Sequence, residues 1–125
     1  MGDFSRKGDS TYLFSLQGLT GTVLPPGSGS MSSEYAGKWD LKDPVLSPIY
    51  ADLRGLPPTL FMTSTRDLLL SGTVQLHQAY LRAGVDARLM VFEAQPHAFW
   101  LDANLPETRE ANEIIAKFLD EHVGR

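Results

Sequence analysis

The sequence predicts an α/β protein, and three observations carry that prediction. Two short apolar, β-favouring runs stand at Thr59–Thr63 and Ala87–Phe92. A stretch with helical spacing lies between them, from Ser71 to Arg82. A second and longer helical stretch follows, from Pro106 to about His122. Strand, helix, strand, helix in that order reads as a parallel pair joined by a crossover helix.

Each element has its own signal. Pro57-Pro58 stops whatever precedes the first strand, and Thr59-Leu60-Phe61-Met62-Thr63 is then short and apolar enough to be buried. Ser64 to Asp67 reads as a polar loop. In the first helix Leu70, Val74, His77 and Leu81 share a face, with Leu76 and Tyr80 alongside. Gly84 stands where a left-handed C-cap belongs, since glycine takes positive φ without a Cβ penalty. Residues 93–105 read as a loop. Pro106 suits the first helical position, where its missing N–H costs nothing. Ala111, Ile114, Ile115, Phe118 and Leu119 form the last helix's apolar stripe.

Residues 1–55 differ in character. They are rich in Gly, Ser and Pro, and Pro25-Pro26-Gly27-Ser28-Gly29-Ser30 is a turn by composition. Thr11–Leu19 reads as a short helix, with Leu13, Leu16 and Leu19 spaced by three. Asp43-Pro44 and Ser47-Pro48 favour extended backbone before each proline. The expected organisation is one partial α/β domain over residues 1–125. Residues 1–55 are irregular cover, and residues 56–125 are the regular core.

Composition excludes several classes. The chain has 125 residues, 42% hydrophobic and 21% charged, which suits one small globular domain. Its net charge of −4 and pI near 5.2 argue against a nucleic-acid binder, which would show a basic face. No cysteine is present, so disulfides and thiolate metal sites are excluded. No H-E-x-x-H motif or phosphate loop occurs, and neither a metal nor a cofactor is expected. The charged start shows no apolar stretch behind it, and no run is long enough to span a bilayer. A cytoplasmic location is the default expectation. His77 in mid-helix reads as a packed or half-exposed side chain, and His122 as a cation suited to a helix C-terminus.

The chemistry lies at Asp67 and His97. Each follows a predicted strand, and parallel strands place their C-terminal ends on one edge of the sheet, about 4.8 Å apart if adjacent. That edge carries the ligand site in open α/β sheets. A carboxylate there can accept the imidazole Nδ1–H, fix the tautomer and stabilise the imidazolium formed when Nε2 takes a proton. An alcohol or thiol nucleophile would complete the arrangement. Taken singly, an aspartate such as Asp67 is more often a helix cap or a solvated group, and a lone loop histidine such as His97 is equally uninformative. Together they fit an acid–base pair.

Several short motifs then coincide, in order, over about residues 43–122. They are Asp43-Pro44, Ser47-Pro48-Ile49-Tyr50-Ala51-Asp52-Leu53, Gly55-Leu56-Pro57-Pro58-Thr59-Leu60 and Arg66-Asp67-Leu68-Leu69. Ala83-Gly84-Val85-Asp86 follows, then Phe92-Glu93 and Pro96-His97-Ala98-Phe99. This run resembles the bacterial hormone-sensitive-lipase-like family of α/β-hydrolases. The resemblance implies the C-terminal part of that fold, hydrolysis of short- to medium-chain carboxylic esters by a Ser-Asp-His triad, and no cofactor. It makes Asp67 the orienting acid and His97 the general base. Leu68, Phe99 and Trp100 are candidates for the substrate wall, beside the alternative that they are core. Where the family often has an acidic residue four positions after the acid, this chain has Ser71.

In this fold the nucleophile precedes the acid along the chain. Neither a G-x-S-x-G elbow nor a His-Gly-Gly motif precedes Asp67 here. Gly8-Asp9-Ser10 imitates the elbow's start, but Tyr12 replaces its last glycine. The expectation is a serine carboxylesterase or lipase part that is inactive alone. The alternative is a non-catalytic interaction module of the same descent. An acyltransferase or peptidase is also compatible, because fold does not fix the reaction. A small ester is the expected substrate, and self-association through the first strand's open edge is expected.

Overall fold

A computed structural model describes residues 2–6, 8–14 and 35–123. Helix α1 spans Asp9–Phe14, strand β1 Thr59–Arg66, helix α2 Leu70–Arg82, strand β2 Ala87–Pro96 and helix α3 Pro106–Val123. Short 3₁₀ turns lie at Pro48–Tyr50 and Phe99–Leu101. Among the described residues the sheet is β1 paired with β2, in parallel. The strand–helix–strand–helix order and the parallel pairing are those expected from the sequence. The predicted helix over Thr11–Leu19 begins at Asp9, and its second half and the loop at residues 25–30 lie outside the described residues.

Side-chain alternation sorts the strands onto two faces. Phe61 packs edge-on against Tyr80 and His77 of α2, at ring distances of 5.1 and 5.7 Å. The opposite face carries Met62, Met90 and Phe92, which meet Phe99, Ala111 and Ile114 in the main core. α2 ends at Gly84, whose φ of +77° is the left-handed conformation expected of it. Gly84 N–H donates to Leu81 C=O and Val85 N–H to Tyr80 C=O, which satisfies the helix's last carbonyls.

Three details differ from the sequence pattern. β1 runs on through Ser64 and Thr65, which had read as loop, because Ser64 and Arg66 pair with β2 on either side of Thr65 and both hydroxyls are bonded to β2 backbone. β2 likewise extends past Phe92 to Pro96 through a bulge. Ser64 pairs with Phe92, but Arg66 pairs with Pro96, so extra residues lie on β2. The bulge holds Ala94 at φ 59°. Lastly, Leu81 is half-exposed, and Ala79 is the buried residue of α2. The sheet is met by His77 and Tyr80, which belong to the expected face, while Leu81 at its C-terminal end stays out in solvent and Ala79 borders the segment before β1.

α3 buries Thr108, Ala111 and Phe118, but leaves Ile115 and Leu119 at the surface. These two form one wall of an apolar groove of about 510 Å³. Leu60 and Met62 of β1 line its floor, and Trp100 closes one end.

The segment before β1 is held by side-chain hydrogen bonds in place of periodic packing. Ser47, fully buried, accepts Phe4 N–H and donates to Leu41 C=O. Burial alone would raise the Asp3 carboxyl, but donors from Ser5, Tyr50 and Arg6 outweigh it and hold the group below the usual carboxylate range. α1 meets the start of α2 through a reciprocal pair: Ser10 N–H to Ser71 Oγ at 3.1 Å and Ser71 N–H to Ser10 Oγ at 2.9 Å. Gly8 permits this approach, since a Cβ there would lie 2.0 Å from Ser71 Cβ.

Candidate active site

Asp67 directly follows β1, and His97 directly follows β2. The parallel register puts both at one rim, and the distance from His97 Nδ1 to Asp67 Oδ1 is 2.8 Å. Because an ionised carboxylate only accepts, Nδ1 carries the proton and donates it. Nε2 is then the nitrogen left to exchange a proton, and the ring is well placed for it with 39% of its side chain exposed. Asp67 is buried beneath it.

Three donors converge on the Asp67 carboxylate. His97 Nδ1–H and Leu69 N–H both reach Oδ1, each at 2.8 Å, and the Thr63 hydroxyl reaches Oδ2 at 3.0 Å. The loop beyond Asp67 is tied down as well. Leu68 C=O accepts the hydroxyls of Ser10 and Thr11, at 3.1 and 2.9 Å. Ser71, which stands where the family often has an acidic residue, takes part in the same α1 contact.

The backbone after His97 turns at Ala98, with φ 62° and ψ 27°. A residue with a Cβ in that region stores strain, which folded proteins retain where a site requires it. The turn swings Phe99 into the core and leaves Trp100 partly exposed, edge-on to the His97 ring at 6.0 Å. Of the three candidates for the substrate wall, Trp100 borders the His97 ring and the groove. Phe99 is core that also touches the groove. Leu68 is half-buried beside Asp67.

Nothing in the sequence singles out the roles of Thr63 and Ala98. A threonine in a strand is ordinary, and nothing marks an alanine as left-handed. Ser10, in the imitation of a nucleophile elbow, is buried, and its hydroxyl donates to Leu68 C=O. No strand precedes α1 among the described residues. Among those residues no cluster of His, Asp or Glu could hold a metal ion, and no helix is long and apolar enough to cross a membrane.

In α/β-hydrolases the acid and the histidine follow the nucleophile in that chain order, and Asp67 and His97 stand in the same order at the C-terminal rim of this parallel pair. Comparison with known proteins leads to the same class. A family profile described as alpha/beta hydrolase fold matches residues 12–101. An acetyl-hydrolase of Streptomyces hygroscopicus is 35% identical over 98 residues, which are 75% of this chain and 32% of that protein. An esterase of Acinetobacter venetianus is 31% identical over 77 residues, 61% of this chain and 25% of that one. Among solved structures, esterase E25 superposes with a TM-score of 0.79 at 38% identity, covering 97% of this chain and 37% of its own. An esterase of the bacterial hormone-sensitive lipase family gives 0.71 at 36% identity, covering 74% and 31%. The chain belongs to the α/β-hydrolase family, among the bacterial hormone-sensitive-lipase-like esterases and lipases. It spans about a third of the length of these relatives.

Proposed function

We propose that this chain supplies the acid and the base of a serine carboxylic-ester hydrolase, Asp67 and His97, and that the nucleophile and oxyanion donors come from sequence other than these 125 residues. The 2.8 Å contact between the two side chains at the strand ends carries the proposal. In this reading His97 Nε2 takes the proton of a serine hydroxyl as its oxygen attacks the ester carbonyl. Asp67 stabilises the resulting imidazolium, and the imidazolium then protonates the departing alkoxide. Water repeats the sequence in reverse roles to release the acid. Trp100 and Leu68 would border the ester, and Phe99 would support that wall from the core.

The test joins residues 1–125 to a nucleophile-bearing hydrolase half and assays p-nitrophenyl esters. His97→Ala is expected to lower kcat by roughly 10⁴–10⁶-fold. A loss smaller than tenfold would refute the role. The 125 residues alone are expected to be inert to a fluorophosphonate probe.

A second reading is a non-catalytic module of the same descent that uses the rim and the apolar groove beside it for association. In both readings we propose that β1 pairs through its second edge with a further copy of the chain. β2 occupies only one of its edges among the described residues, and the apolar groove lies beside it. Size-exclusion chromatography should show a dimer that dissociates on dilution, and a monomer at every concentration would exclude this pairing.

A further inference from the structure

We propose that Thr63 is a positioning residue for the Asp67–His97 pair, its hydroxyl selecting which carboxylate oxygen and which imidazole tautomer the site uses. The proposal rests on the acid–base reading above.

The argument starts from what a buried carboxylate can do. Its terminal torsion is soft, so nothing intrinsic decides which oxygen faces a neighbour. Asp67 has two oxygens and both are buried with it. An oxygen left without a donor there would be destabilising. Thr63 is completely buried four residues earlier, and its hydroxyl reaches Oδ2 at 3.0 Å. Leu69 N–H holds Oδ1 from the other side of the loop at 2.8 Å. With both oxygens claimed, the carboxylate plane is fixed, and the remaining acceptor direction on Oδ1 points at His97 Nδ1. Rotation of the carboxylate would break the Thr63 and Leu69 bonds together.

The neighbouring hydroxyls fix the other partner. Ser64 Oγ donates to Gln95 C=O, and Ala94 N–H donates to Thr65 Oγ1 at 2.8 Å. These two bonds hold the β2 bulge directly before His97. Three consecutive hydroxyl residues thus serve both arms of the pair, and of their hydroxyls the one that reaches the acid's carboxylate is that of Thr63.

The distinction between positioning and mere stability is spectroscopic. In the full chain, ¹⁵N-labelled at histidine, neutral His97 should carry its proton on Nδ1. Thr63→Val keeps the volume and removes the donor. It is expected to lower the Nδ1–H to Nε2–H ratio at His97 by roughly three- to tenfold, the weight of one hydrogen bond. Thr63→Ser should restore it. A Thr63→Val ratio equal to wild type, with only the unfolding midpoint lowered, overturns the proposal. If Thr63→Val does not fold, Thr63→Cys, whose thiol is a weak donor, is read against Thr63→Ser by the same criterion. Asp67→Asn separates the two layers of the argument. A His97 tautomer unmoved by Asp67→Asn removes the acid–base reading itself, whereas a tautomer moved by Asp67→Asn but not by the Thr63 variants removes Thr63 alone.

Discussion

At the C-terminal end of the strand pair, Thr63 and Ser64 are completely buried, and each hydroxyl is bonded, Thr63 to Asp67 on the same arm and Ser64 to Gln95 C=O on β2. On the Ser64 face of the pair, Phe92 and Phe99 pack with ring centres 5.0 Å apart. At the N-terminal end Leu60 is only half-buried, and Ile115 and Leu119 of α3 stand across an open apolar groove. The same two strands are closed by hydrogen bonds at one end and left unfilled at the other. Geometry that must hold two titratable groups in register needs specific bonds, because apolar packing has no directional preference. The groove holds nothing in register, and its apolar surface is free to take a covering element.

The largest expected effect comes from breaking the closed end. Phe92→Ala removes a ring from the centre of the core cluster and leaves a cavity under Ser64. It should cost about 3–5 kcal/mol, read as a shift in the urea midpoint. A loss below about 1 kcal/mol would mean that the rim does not rest on this core.

The next effect lies at the strap formed by the N-terminal segment. An alanine Cβ at position 8 would come within 2.0 Å of Ser71 Cβ, both being atoms fixed to backbone. Gly8→Ala is expected to cost about 1–3 kcal/mol through forced separation of α1 from α2. Hydrogen exchange at Ser71 and Ser10 should accelerate, since each amide is bonded to the other's hydroxyl. If exchange there is unchanged, α1 does not brace the loop that carries Asp67.

This contrast also explains what could be read from the sequence. β1, α2, β2 and α3 announce themselves by period, proline and glycine, signals that depend on neighbours along the chain. The meeting of Asp67 and His97 followed from those elements, because parallel strands share a rim. The bulge at Ala94 depends on contacts across the strands, and Thr63 bonds Asp67 only four positions on, but a threonine in a strand carries no mark of that bond and an alanine at position 98 none of its turn. Ser64 and Thr65 misled for a related reason. Polar residues suggest a loop unless their partners are known, and those partners lie on β2, about thirty positions on. Leu81 shows the limit of periodicity itself: the spacing gives the face that meets the sheet through His77 and Tyr80, but not how far along the helix the sheet reaches.

The smallest expected effect sharpens the open end. Leu119 keeps 47% of its surface exposed, so Leu119→Lys removes little packing. Its unfolding free energy should change by no more than about 0.5 kcal/mol, as for other surface substitutions. Association should respond far more, because a charge in the groove must be desolvated when any apolar partner covers it. Sedimentation of Leu119→Lys beside wild type measures this directly, and the variant should stay monomeric where wild type dimerises. A variant that is destabilised as much as Phe92→Ala would show that the groove is already filled, and that the two ends of the strand pair are packed alike.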